Sequence, residues 1–314
     1  LLKYPAFAFG PRYAAGTGTS LLEGYRRQGR WALALYGLLT LGMMFTVQAA
    51  VTLVTAGLAK HLLGLSTSPV VIGAGLSLLC VGILAAGRFP WLDRIMKVVV
   101  AVLTVSTVVA TLLVLPRIEW SSMSFWPSTW DVATIGFVAA LVGWMPSAID
   151  IAVWHSLWTL ARARQTEHRA SLAESMLDFN IGYLGTALLA LCFLTLGAGV
   201  MYGSGAEFSA SASGFAQQII VLYTASLGEW SAPLIGSCAF AVMFSTTLTV
   251  VDGFPRALAT LVMRFRSPEE AGEDFPYRFY WIAVLVLGFG SLWITHSFLA
   301  NLKALVDLAT ILSF

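Results

Sequence analysis

Charged side chains are scarce in this sequence: Asp, Glu, Lys and Arg make up 11% of its 314 residues, against roughly 25% in soluble domains. That scarcity excludes a water-soluble globular fold. Only three cysteines occur, Cys80, Cys192 and Cys238, each inside an apolar run. An odd, buried set argues against disulfides and against a zinc site. The four histidines show no His-Glu-x-x-His spacing, and there is no Asn-x-Ser/Thr sequon, signal peptide, Gly-x-Ser-x-Gly motif or intramembrane paired-Asp protease pattern. Gly16-Thr17-Gly18 has no strand before it, so it is no phosphate or dinucleotide loop. Nothing argues for an enzyme, and no resident cofactor is expected. The net charge of +2 says little about partners, and neither a nucleic acid nor an obligate protein partner is expected.

What the chain has is apolar length. Hydrophobic residues account for 58% of it and the mean hydropathy is +0.81, so the lipid bilayer is its solvent. About 20 apolar residues cross the hydrocarbon core as a helix. Seven runs qualify, at about 31–58, 69–87, 95–115, 132–160, 173–201, 229–254 and 277–297, and an eighth spans 299–314. Residues 1–9 look like the tail of an earlier span, and 215–227 reads as an interfacial helix. Turn signals fall at Ser66-Thr67-Ser68-Pro69, Phe89-Pro90, Trp126-Pro127-Ser128 and Gly203-Ser204-Gly205. The longest charged and polar stretch, Arg266–Asp274, is too short to join separate domains, so residues 1–314 read as one membrane domain. The opening Leu1-Leu2-Lys3-Tyr4, without Met, and the stop at Phe314 inside an apolar run suggest a fragment at both ends.

Lysine and arginine set the expected topology. Lys3, Arg12, Arg26, Arg27, Arg30, Arg88, Arg94, Lys97, Arg162, Arg164, Arg169, Arg256, Arg264, Arg266 and Arg278 all fall on one side, against Lys60 and Arg117 on the other and Lys303 within a span. The positive-inside rule makes the rich side cytoplasmic. Residues 10–30, 162–172 and 256–276 are then cytoplasmic loops of a multi-pass inner- or plasma-membrane protein. Trp120, Trp126 and Trp130 stand at the outer interface.

One constellation stands out. Met145-Pro146 lies in the middle of the fourth run, where the proline removes a helical hydrogen bond and displaces the preceding carbonyl. Carbonyls freed around Leu141 and Val142 need a partner, which a cation could be, and the Met145 thioether adds a soft ligand at the same depth. Broken helices at mid-membrane mark substrate sites in many secondary transporters. Asp150, one turn beyond the break, carries a cost of roughly 2.5–3.5 kcal/mol on insertion scales; it therefore faces a cavity or a basic partner. Asp178 is a candidate for lining an inward path, whereas Glu174 reads as a helix-capping acid. Asp252 and Arg256 read as a local salt bridge or helix break, Lys303 and Asp307 as an internal ion pair with gating as the alternative, and His155 as an interfacial histidine.

Two stretches resemble a known family. Tyr4-Pro5-Ala6-Phe7-Ala8-Phe9-Gly10-Pro11-Arg12-Tyr13, followed by Thr17-Gly18-Thr19-Ser20-Leu21-Leu22-Glu23-Gly24-Tyr25, resembles the second helix and following loop of the Nramp (natural resistance-associated macrophage protein) divalent-metal transporters. Gly143-Trp144-Met145-Pro146 resembles the break in their sixth helix, and Ser175–Ile181 the start of their seventh. The resemblance implies an all-α LeuT-type fold of two inverted five-helix repeats. This chain would cover family helices two to ten, without the first helix, whose Asp-Pro-Gly-Asn break supplies two metal ligands. It implies Met145 as a thioether ligand and the Val142 carbonyl, where the family has alanine, as a second.

The sequence also departs from that family. Leu41–Leu58 carries none of the third-helix acids that serve proton movement, and Gln48 is its only strongly polar side chain. Ser147 and Ala152 stand where the family has histidines, and Leu305 or Ile311 where it has a tenth-helix glutamine, with Asp307 nearby. Proton coupling thus lacks its usual carriers. A soft thioether favours manganese or iron over magnesium. The expected function is import of a divalent transition metal by alternating access, with Met145 and Val142 as ligands, Pro146 as the break, and Asp150, Asp178, Asp307 and Gln48 along the ion pathway. The alternatives are an uncoupled magnesium pathway on the same fold and a metal-binding membrane sensor without flux.

Overall fold

Six helices of the computed structural model are long and apolar enough to cross a membrane: Arg30–Leu63, Pro69–Ala86, Arg94–Arg117, Leu172–Val200, Glu229–Arg266 and Tyr277–Ser297. The structure describes residues 2–87, 89–118, 120, 124, 126, 129–202, 204, 209–266, 277–299 and 301–313, with no side-chain description at 89–93. Among them the helices are α1 (Tyr4–Thr17), α2 (Leu21–Gln28), α3 (Arg30–Leu63), α4 (Pro69–Ala86), α5 (Phe89–Val114), α6 (Val132–Trp144), α7 (Ile151–Thr166), α8 (Leu172–Val200), α9 (Ala212–Leu227), α10 (Ala232–Arg266), α11 (Tyr277–Ser297) and α12 (Leu302–Leu312). There is no strand among the described residues. The chain is an all-helical, multi-pass membrane protein. Arg88, Pro127 and Ser128, Gly203 and Gly205, and most of the charged stretch Arg266–Asp274 lie outside the described residues.

The run expected as one span over 132–160 is instead two short helices, α6 and α7, neither long enough to cross alone. The run at 299–314 is the eleven-residue α12.

Local chemistry sets the boundaries. Gly18, at φ 69°, ends α1 in the left-handed conformation that glycine adopts without a Cβ clash. Ser68 caps α4, with Pro69 at its first position. Ser171 and Glu174 form a reciprocal capping box at the start of α8. Asp131 caps α6 and Asn301 caps α12. Pro255 lies inside α10 without ending it. The segment around 215–227, expected to be a short helix, is the sixteen-residue α9.

Burial separates the central helices from the outer ones. The apolar window of α3 is 67% buried and that of α10 50%, whereas those of α4 and α8 are each 17% buried. Accordingly α3 packs on α2, α4, α9, α10, α11 and α12, while α8 turns Leu177, Ile181, Leu184, Leu188 and Leu194 outward. Lipid tails are as apolar as leucine, so close packing holds such helices together. At Gly10 the backbone of α1 presses against the Ala152 carbonyl of α7, and a Cβ there would collide with it.

Two polar clusters tie helices together, one joining α2 to α10 and the other joining α7 and α11 to α10. Glu23, 6% exposed, binds Arg26 at 2.6 Å and Arg264 of α10 at 3.4 Å. Asp252 accepts from Arg256 at 2.9 Å, Trp158 of α7 at 3.1 Å and Tyr280 of α11 at 2.9 Å. The salt bridge expected between Asp252 and Arg256 is present, and the helix continues through it.

Candidate functional site

The α6 helix ends at Trp144 and α7 begins at Ile151, leaving residues 145–150 out of regular helix, with a cis Met145–Pro146 peptide. In a continuous helix the Val142 carbonyl would accept from the amide of residue 146. Pro146 has no N–H, so that carbonyl has no intrahelical donor. The Leu141 carbonyl, by contrast, still accepts from Met145 N at 2.9 Å, so it is not freed as expected from the sequence. Met145 is 43% exposed, which leaves its thioether accessible at the break.

A lysine occupies the neighbouring carbonyls. Lys3 Nζ donates to the Gly143 carbonyl at 2.7 Å and to the Ser147 carbonyl at 3.2 Å, one on each side of Met145–Pro146. Lys3 therefore belongs to the helix break and not to the basic loop with which the sequence groups it. Its position follows from α1 running alongside α7 in the same sense: Lys3 meets Ser147, Gly10 meets Ala152, and beyond α1 the Leu21 amide donates to Ser156 Oγ at 3.0 Å. On the other flank Tyr4 donates to Asn180 Oδ1 of α8 at 2.6 Å. Trp144 Nε1 donates to Ser313 Oγ at 3.1 Å and brings the end of α12 to the break.

Asp150 is 2% exposed. Thr40 of α3 donates to its Oδ1 at 3.3 Å, and its Oδ2 has no hydrogen-bond partner. The Tyr25 and Tyr36 phenols are its electrostatic neighbours. A buried carboxylate with a bare oxygen is expensive to hold, and such groups in membrane helices mark functional sites.

The remaining candidates are dispersed. Gln48, 1% exposed, donates to Thr52 at 2.9 Å while its Oε1 has no partner. It lies eight residues from Thr40 along α3, about 12 Å at 1.5 Å per residue, so it is not level with Asp150. Asp307 binds Lys303 at 3.0 Å along α12, the pair expected there, but both side chains are exposed and the pair is not internal. Leu305 is fully buried and Ile311 is 47% exposed.

A cleft of about 1230 Å³ opens between α1, α7 and α8. It is lined by Pro146 and Ser147 at the break, by His155 and Asp178, and by Arg162 and Arg169. Asp178 is exposed in it. His155 stacks edge-on against Phe179 with ring centroids 6.0 Å apart, and its buried Nδ1 has no partner. Among the described residues, no three His, Cys, Asp or Glu side chains gather in a way that could hold a metal. The donors at the break are neutral: a thioether and backbone carbonyls.

The break and the cleft define a helical membrane protein with an interrupted helix opening on a largely apolar cleft that carries a few charged side chains. No protein-family model matches the chain. Over 265 residues it is 37% identical to Uncharacterized protein PM0681 of Pasteurella multocida (strain Pm70), a match covering 82% of this chain and 60% of that protein. The chain thus spans less than two thirds of the length of this relative.

Proposed function

We propose that this chain forms the greater part of a secondary transporter that moves a divalent metal ion across the membrane by alternating access, on a LeuT-type fold like that of the Nramp transporters it resembles. One observation carries the reading: the helix is interrupted at Met145, an exposed thioether residue, three residues after Val142, whose carbonyl has lost its helical donor. Thioether and carbonyl together suit a transition metal such as manganese or iron better than magnesium, which prefers an all-oxygen shell. The metal is the substrate, and no resident cofactor takes part. The family resemblance implies two further ligands from a first helix. Pro146 keeps the break open, and the cleft past Ser147, His155 and Asp178 supplies a path from the site. Asp150 is buried beside the break and does not line this cleft, so it acts on the ion through its charge alone. By the distribution of basic residues that path leads to the cytoplasm.

The test is Met145→Ala in the complete protein, with uptake of manganese and of magnesium measured in parallel. Loss of preference for manganese supports the thioether as ligand. Unchanged uptake and unchanged preference overturn it.

A further inference from the structure

We infer that Lys3 is a tethered cation that competes with the transported ion for the helix break and so sets the charge an ion needs to enter. This rests on Met145 and Val142 being the ion's ligands. The ammonium bridges Gly143 and Ser147, residues separated by the non-helical Met145–Pro146 turn. It is half-buried, and no carboxylate pairs with it among the described residues. A cation in an apolar bundle would be expected to find an acid. Lys3 instead draws on carbonyl dipoles, the same kind of donor the ion uses.

Gly143 adjoins Val142, and Ser147 is two residues from Met145. An ion at the thioether and the Val142 carbonyl therefore sits close to the ammonium, and the two positive charges repel in a poorly screened site. The lysine stem is flexible and can swing aside. Lys3 links the carbonyls on the two sides of the break. Driving the ammonium off Gly143 and Ser147 costs the same whichever ion enters, and a divalent ion gains more than a monovalent one from the Val142 carbonyl dipole, so the arrangement favours divalent over sodium or potassium ions.

The experiment uses the complete protein and manganese as the probe. Lys3→Gln keeps N–H donors for the two carbonyls but removes the charge. It is expected to tighten manganese binding by roughly tenfold or more and to let sodium compete. A second variant, Lys3→Cys, covers misfolding of the first. Cys80, Cys192 and Cys238 are buried, so the new thiol can be labelled selectively once any accessible cysteine elsewhere in the complete protein is removed. Aminoethyl methanethiosulfonate should restore weak, wild-type binding, and the uncharged methyl reagent should not. Equal manganese affinity in wild type and folded variants overturns the role of Lys3 while leaving the metal reading intact. No manganese binding to any of them removes the metal reading and this inference together.

Discussion

Thr40 and Asp150 stand 110 residues apart in sequence and meet in a buried hydrogen bond of 3.3 Å between α3 and the broken helix. The bond satisfies one carboxylate oxygen and leaves the other bare. A structural ion pair would have supplied a cation here, and none is present among the described residues. Asp150→Asn keeps the shape and the Thr40 contact while removing the charge. Thermal unfolding should show the variant more stable by about 1–3 kcal/mol. Metal flux in vesicles should fall by roughly tenfold. Lower stability with unchanged flux would make Asp150 a packing residue.

Gly10 is where α1 and α7 touch through their backbones. Gly10→Ala places a Cβ against the Ala152 carbonyl, which cannot move without shifting α7. A loss of about 1–3 kcal/mol is expected, together with loosening of the Lys3 contacts at the break. Denaturation and labelling of Lys3 by an amine reagent measure the two effects. Wild-type stability would show that the helices can separate freely.

Glu23 supplies the pH dependence. Burial pushes its carboxyl up, but the hydrogen bond from Arg26 and the charges of Arg264, Arg26 and Arg27 bring it net below the usual glutamate range. The pair therefore stabilises the fold at any pH above the ordinary glutamate value, and this contribution is lost as pH falls through the depressed one. Glu23→Gln should cost about 3 kcal/mol at neutral pH, because the buried Arg264, 5% exposed, loses its ion pair with Glu23. The variant should also lack the wild-type loss of stability at acid pH. Parallel acid titrations of both proteins, followed by unfolding, check this.

Asp307 should matter little. Its partner Lys303 lies one turn away and both side chains are largely exposed. Asp307→Asn is expected to change stability by less than about 1 kcal/mol and to leave metal flux near wild type. A severe flux defect would place the pair in the gate instead.

The helix break was legible in the sequence because proline acts locally: residue 146 has no N–H, whatever surrounds it. The long apolar spans, the capping role of Glu174 and the pairing of Asp252 with Arg256 were legible for the same reason, since each depends on neighbours within a turn. Lys3 was not. Its partners are 140 and 144 residues away, and next to the basic loop it counts as one more inside charge. The Leu141 carbonyl keeps its donor because Met145, which precedes the proline, still has its N–H and returns it to the helix. The buried state of Asp150 depends on how α3 crosses the break, which periodicity does not encode.

The central claim is transport. The complete protein reconstituted in vesicles containing a manganese-quenched dye, with and without excess magnesium outside, tests it most directly. The account predicts quenching that follows added manganese, needs no pH gradient and resists magnesium. Saturable manganese binding without any quenching would contradict it, and would leave a membrane protein that binds metal without moving it.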